Sequence, residues 1–137
     1  MLYKRSLYFA LGFVAAIALA IVYYKYNPAK YGLFPQCPFH KLTGLDCPGC
    51  GSQRALHALL HLDFKAAAGY NLLMIISIPF LSVHFFYKLK SFFLKREVRW
   101  AVIYHPITPK IIFVLVIVFW ITRNIPATPF SYLAAGH

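Results

Sequence analysis

At 137 residues the chain is sized for one domain, and at 61% hydrophobic and 12% charged it carries more apolar surface than a soluble domain of that size can bury. Its net charge of +11 sets fourteen Lys and Arg against only Asp46, Asp63 and Glu97. No nucleic-acid-binding module accompanies that charge, so nucleic acid is excluded as a partner. Three acids also leave carboxylate-based acid–base catalysis without its groups. The basic residues are read instead as membrane flanks that orient helices and meet anionic lipid headgroups.

The first apolar run, residues 7–24, has the length a hydrocarbon core requires. Ala15, Ala16, Ala18 and Ala20 allow close helix contact in its middle. Lys4 and Arg5 ahead of it look like the start of a signal peptide. The run, however, ends in Tyr23-Tyr24-Lys25-Tyr26, an aromatic and basic interface belt rather than a small-residue cleavage site, so a retained first span is expected.

Residues 28–51 are punctuated by Pro28, Gly32, Pro35, Pro38, Gly44, Pro48, Gly49 and Gly51. This predicts a loop with neither helix nor strand, held in shape by cross-links, a metal or packing. Residues 52–65 predict a short amphipathic interfacial helix with Ser52 as its N-cap. Ala55, Leu56, Leu59, Leu60 and Leu62 form its apolar side, and Arg54, His57, His61 and Lys65 share another face. The second span is predicted over 66–87, kinked at Pro79, and is followed by Lys88, Lys90, Lys95, Arg96 and Arg99 around Glu97. The third span is predicted over 107–123, with Lys110 snorkelling and Arg123-Asn124-Ile125-Pro126 as its stop. The half-apolar tail to His137 is expected to rest on the membrane. The predicted fold is therefore all-α and polytopic: a single membrane domain of three spans, with an interfacial helix after the Cys-rich loop.

Orientation follows from the basic residues. With the N-terminus cytoplasmic, eight of them (Lys4, Arg5, the five of 88–99 and Lys110) lie inside. Six (Lys25, Lys30, Lys41, Arg54, Lys65 and Arg123) lie outside. The compact 88–99 cluster sets the expectation of N-in topology with the Cys loop on the outer face.

Chemistry is concentrated in Cys37, Cys47 and Cys50, all within fourteen residues. Three readings stand open. The thiols can tie the loop into one shape. They can form a metal knuckle, with Cys37 and His40 completing a Cys3His set around Cys47 and Cys50, zinc being the expected ion. Or Cys47-Pro48-Gly49-Cys50, placed just before a helix, can be a redox pair with Cys37 as resolving thiol. His57 and His61 have a helix-borne metal spacing, but Ala58 stands where a metalloprotease needs its glutamate, and Arg54 and Lys65 share the face. The two histidines are therefore read as facing water or headgroups. Arg54, one helical turn beyond the cysteine turn, is expected to cap loop carbonyls or bind a lipid phosphate. Arg123, Asn71 and Asn124 lie at the same level, with Asp46 and Asp63 the acids available there.

The run Cys37-Pro38, then Thr43-Gly44-Leu45, Cys47-Pro48-Gly49-Cys50-Gly51 and Arg54-Ala55-Leu56 resembles a bacterial family of small membrane proteins catalogued as domain of unknown function 2752. The likeness is firm over 37–73 and looser over the last span with its Arg123-Asn124 ending. It implies a small helical protein of the bacterial inner membrane, with the three cysteines and Arg54 as signature positions. It brings no activity. The chain departs from it at Asn71-Leu72, where Asn-Pro is expected. The leading functional expectation is a non-catalytic accessory or scaffold protein, whose Cys-Pro-Gly-Cys-Gly loop is a rigid recognition element for another membrane protein or a second copy. The alternative is a membrane thiol–disulfide oxidoreductase or a metal-handling protein. The motif-supporting residues are Pro48, Gly49, Gly51, Arg54, Asn71 and Arg123.

Overall fold

The structure, a computed structural model, describes residues 2–32 and 34–134, with the side chains of 2–6 and 9 left out. The expectations placed on the Lys4 and Arg5 side chains and on His137 lie outside the described residues. Among the described residues every regular element is helical. The seven α-helices are α1 (Leu2–Lys25), α2 (Pro38–Thr43), α3 (Ser52–Leu60), α4 (Phe64–Tyr70), α5 (Leu72–Leu94), α6 (Ala101–Tyr104) and α7 (Thr108–Arg123). A 3-10 turn follows at Phe130–Leu133.

The loop expected to be free of helix contains α2. Its breakers stand at the positions where a short helix starts and stops. Pro38 occupies the first turn, where its missing N–H costs nothing. Gly44 adopts φ 73° at the C-cap and donates its N–H to the His40 carbonyl at 2.9 Å. Thr43 Oγ1 donates to the Phe39 carbonyl and accepts from the Leu45 N–H, closing the exit.

The single interfacial helix expected over 52–65 is two helices with an elbow between them. Gly51, at φ 80°, is the N-cap of α3, a role expected of Ser52. Ser52 instead accepts a hydrogen bond from Asn71 Nδ2 at 3.0 Å. The chain leaves α3 through Leu62 at φ 62°, with the Asp63 N–H bonded to the Ala58 carbonyl. Asp63 then caps α4 by accepting the Ala66 N–H at 2.9 Å. Asn71, extended at φ −159° and ψ 93°, breaks the chain again, and its Oδ1 accepts the Met74 N–H to start α5. The span predicted over 66–87 is thus α4 plus α5, and α5 runs on to Leu94 with Pro79 inside it. Leu72 is the first residue of α5, a position that tolerates proline, so the departure from Asn-Pro leaves the helix start intact.

Among the described residues one helix, α5, is long and apolar enough to cross a membrane. The described apolar stretch of α1, Ala10–Lys25, is shorter. The sixteen residues of α7 reach about 24 Å at ~1.5 Å per residue.

The buried centre lies at the elbow. Cys50, Ala55, Ala58 and Ala67 are its buried apolar residues, and Asp46, Asn71 and Arg123 its buried polar ones. Ala55 and Ala67, both fully buried, let α3 and α4 approach closely. Of the histidines expected to face water or headgroups, His57 turns toward α1, while His61 stays exposed along the edge of that helix. His57 Nδ1 donates to the Tyr23 carbonyl at 2.6 Å, and His61 stacks on Tyr24 with ring centres 4.3 Å apart. The described part of the tail packs against α4 and α7 through the 3-10 turn.

Candidate functional site

The loop from Asp46 to Gly51 is held from two sides. From α7, Arg123 Nη1 donates to the carbonyls of Cys47 (3.0 Å) and Pro48 (3.4 Å), and Nη2 to that of Cys50 (3.2 Å). The Arg123 side chain is fully buried, with Asp46 Oδ2 3.7 Å from Nη2 and the Phe119 ring 5.0 Å from the guanidinium carbon. Asn124 treats Asp46 as a neighbouring strand would: its Oδ1 accepts the Asp46 N–H at 2.8 Å and its Nδ2 donates to the Asp46 carbonyl at 2.9 Å. From the α4–α5 break, Asn71 Nδ2 donates to the carbonyls of Pro48 (3.0 Å) and Cys50 (3.1 Å).

These contacts explain why a Pro/Gly-rich loop takes one shape. Its backbone carbonyls turn inward, where each must find a donor. A planar guanidinium and two carboxamides provide donors in fixed directions. Arg123 reaches these loop carbonyls from the far end of the chain. The Arg54 guanidinium stands over the Tyr70 ring, 5.5 Å from its centre.

On this frame the three thiols meet. Cys37 Sγ is 3.3 Å from Cys47 Sγ, which is 3.2 Å from Cys50 Sγ, and all three sulfurs lie within 4.8 Å of one another. All are free thiols. The Cys47 N–H donates to Cys50 Sγ at 3.2 Å. Cys37 and Cys47 are half-buried and Cys50 is 5% exposed. The backbone N–H of His40 holds the Cys37 thiol below its ordinary range, against burial and with help from the neighbouring thiols. Burial pushes the Cys50 thiol up to about 12, and bonding to Cys47 acts in the same direction.

His40, expected as a fourth ligand, is not in this cluster. Among the described residues the group that can hold a metal ion is Cys37, Cys47 and Cys50. His40 Nδ1 lies 3.3 Å from the Leu45 carbonyl and 3.4 Å from Asp46 Oδ1, so the ring braces the turn before Cys47. The two motif glycines also differ. Gly51 needs its left-handed backbone at φ 80°. A Cβ on Gly49 would meet only Cys47 Sγ, at an ordinary 3.8 Å. A cleft of about 640 Å³ borders all three cysteines, with Tyr31, Phe34, Lys41 and Gln53 on its walls.

Sequence reasoning had named Arg123 and Asn71 as supporting residues without their targets. It missed Gly51 as a cap and the Tyr23 carbonyl as a partner for His57. A polar Arg-Asn pair closing an apolar run was the available signal for the α7 clamp.

Residues 37–85 match the profile of a family described as a protein of unknown function (DUF2752). The matched segment holds the three cysteines, Arg54, Asn71 and more than half of α5, and stops short of Arg123. No curated protein and no solved structure matches the chain.

Proposed function

We propose that the protein is a small integral membrane protein whose three-thiol loop binds a thiophilic metal ion, zinc by preference, at the outer membrane–water interface. The convergence of three sulfurs from two loop segments carries this reading. Two arguments favour it over a purely structural role. The loop is already held by Arg123, Asn124 and Asn71, so the cysteines are not needed as staples. The sulfur spacing also suits a metal: zinc at ~2.3 Å from each thiolate in a tetrahedron sets sulfurs about 3.8 Å apart, a small outward shift from the 3.2 and 3.3 Å found. Three protein ligands leave one coordination position for a molecule entering the cleft. Binding requires each thiol to release its proton.

Elemental analysis of protein purified in mild detergent is expected to find one zinc per chain. Cys37→Ser and Cys47→Ser should each abolish stoichiometric retention without unfolding the chain, because the clamp on the loop carbonyls remains. Metal-free protein that takes up neither Zn²⁺ nor Cu⁺ overturns the reading. A Cys37–Cys47 disulfide in the protein as isolated would move it to thiol–disulfide exchange, which the same two sulfurs also suit.

The membrane part of the reading has α1, α5 and α7 as the three spans, with the N-terminus cytoplasmic. The C-terminal end of α1 meets α3, the helix directly after the Cys loop, and the N-terminal end of α5 and the C-terminal end of α7 meet the loop itself, as an up-down-up bundle requires. Large apolar side chains along all three helices are exposed, and a bilayer would cover them. In a chain with its three cysteines changed to serine, a cysteine placed at Gly32 should react with an impermeant maleimide in intact cells. One placed at Lys90 should react only after lysis. The opposite pattern would invert the topology.

A further inference from the structure

At the end of α5 remote from the cysteines the chain makes a built return. Lys95 takes the left-handed conformation at φ 51° and turns the backbone out of the helix. Ser91 Oγ pins the return by donating to the Arg96 carbonyl at 2.7 Å and accepting the Val98 N–H at 3.4 Å. Trp100 anchors its far end on α5, packing on Phe80 and stacking on Tyr87 with ring centres 4.9 and 6.0 Å away. Between helix and return lies a cleft of about 670 Å³.

The lining of this cleft has two chemical characters. Lys88, Lys95, Arg96 and Arg99 face it against the single carboxylate of Glu97, an excess of three positive charges. Arg99 is fixed by Glu97, with bonds of 2.6 and 3.0 Å, and lies over the Tyr104 ring. Phe92 and Phe93 add an apolar wall. Cations beside an aromatic wall, at the end of the helix apolar enough to cross a membrane, match a molecule with an anionic head and hydrocarbon tails. A soluble anion would use only the first character.

We infer that this cleft is a binding site for the phosphodiester headgroup of an anionic glycerophospholipid, with Lys88 and Arg96 on the phosphate and the acyl chains along Phe92 and Phe93. The site rests on α5 lying in a bilayer and is independent of the metal reading. A basic flank that merely orients a helix needs no cleft and no pinned return. Here the return holds Arg96 and Arg99 across from Lys88.

Native mass spectrometry of the full chain in detergent tests the site with phosphatidylglycerol, phosphatidylcholine and soluble glycerol 3-phosphate as probes. Phosphatidylglycerol should be retained in preference to phosphatidylcholine. Lys88→Gln with Arg96→Gln should weaken its binding roughly 25-fold, taking about fivefold for each basic residue near an anionic surface. Glu97→Gln should strengthen binding, a change that a structural role for these exposed residues does not produce. Equal retention of phosphatidylcholine, or an unchanged Lys88/Arg96 double variant, overturns the site. Binding of glycerol 3-phosphate as tight as phosphatidylglycerol would assign the cleft to free phosphate and overturn the lipid. Protein that stays soluble without detergent would fail the α5 premise, and that result is separable from a failure of lipid selectivity.

Discussion

Arg123→Met is expected to lower stability by about 3–5 kcal/mol, the range for removing one partner of a buried charged pair. The substitution keeps the length and apolar stem of the side chain. It leaves Asp46, 6% exposed, without the guanidinium 3.7 Å away, and strips the Cys47 carbonyl of its 3.0 Å donor. Pro48 and Cys50 keep a bond from Asn71, so the loop loses one clamp and retains another. Arg123→Lys should fall between wild type and Met. An ammonium keeps the charge but cannot serve three carbonyls in the directions of a planar fork. Unfolding in mixed micelles is the measurement. A change within ~0.5 kcal/mol, as at an ordinary surface position, would remove Arg123 from the centre of the fold. The same variant should weaken metal retention by roughly 10–100-fold, the usual effect of losing a group that orients ligands.

Asn71→Leu should cost about 2–5 kcal/mol. Part is the N-cap on α5, worth ~1 kcal/mol, and the rest is the buried donor lost to Pro48, Cys50 and Ser52, at ~1–3 kcal/mol, the two carbonyls keeping only their bonds from Arg123. Asn71→Asp separates the two contributions. Aspartate still accepts the Met74 N–H and remains a good cap, but it has no donor for the loop carbonyls and sets a negative charge against them. It should be at least as damaging as Leu. If Asn71→Asp is silent, Asn71 is only a helix cap and the loop is held from α7 alone. Urea or thermal titration of the three proteins side by side gives the answer.

Arg123 shows where reading along the chain stops. Arg54 lies four residues beyond Cys50, and nearness in sequence made it the natural donor for the cysteine turn. Arg123 is more than seventy residues away, and only the path of α7 brings it to the same carbonyls. His57 and His61 carry the same lesson. Their helical spacing was legible, but the direction of their face depended on where α1 ends.

Composition and local pattern determined that the chain is helical and rich in lipid-compatible surface. They also determined that its thiol chemistry sits in one short segment and that α7 closes on Arg123-Asn124. Those are properties of residue type and of spacings within a few turns, where the backbone period dictates which side chains share a face. Proline and glycine were read correctly as punctuation, yet Pro38 and Gly44 bound a helix as readily as they break one. That the three sulfurs would meet was legible in the crowded loop; the tertiary structure alone decided that His40 braces the loop instead of joining them, and that an arginine and two asparagines from distant parts of the chain hold the frame. The reason is physical: inward-turned carbonyls must be satisfied, but any donor that reaches them will serve, and reach is fixed by helix packing rather than by distance along the chain.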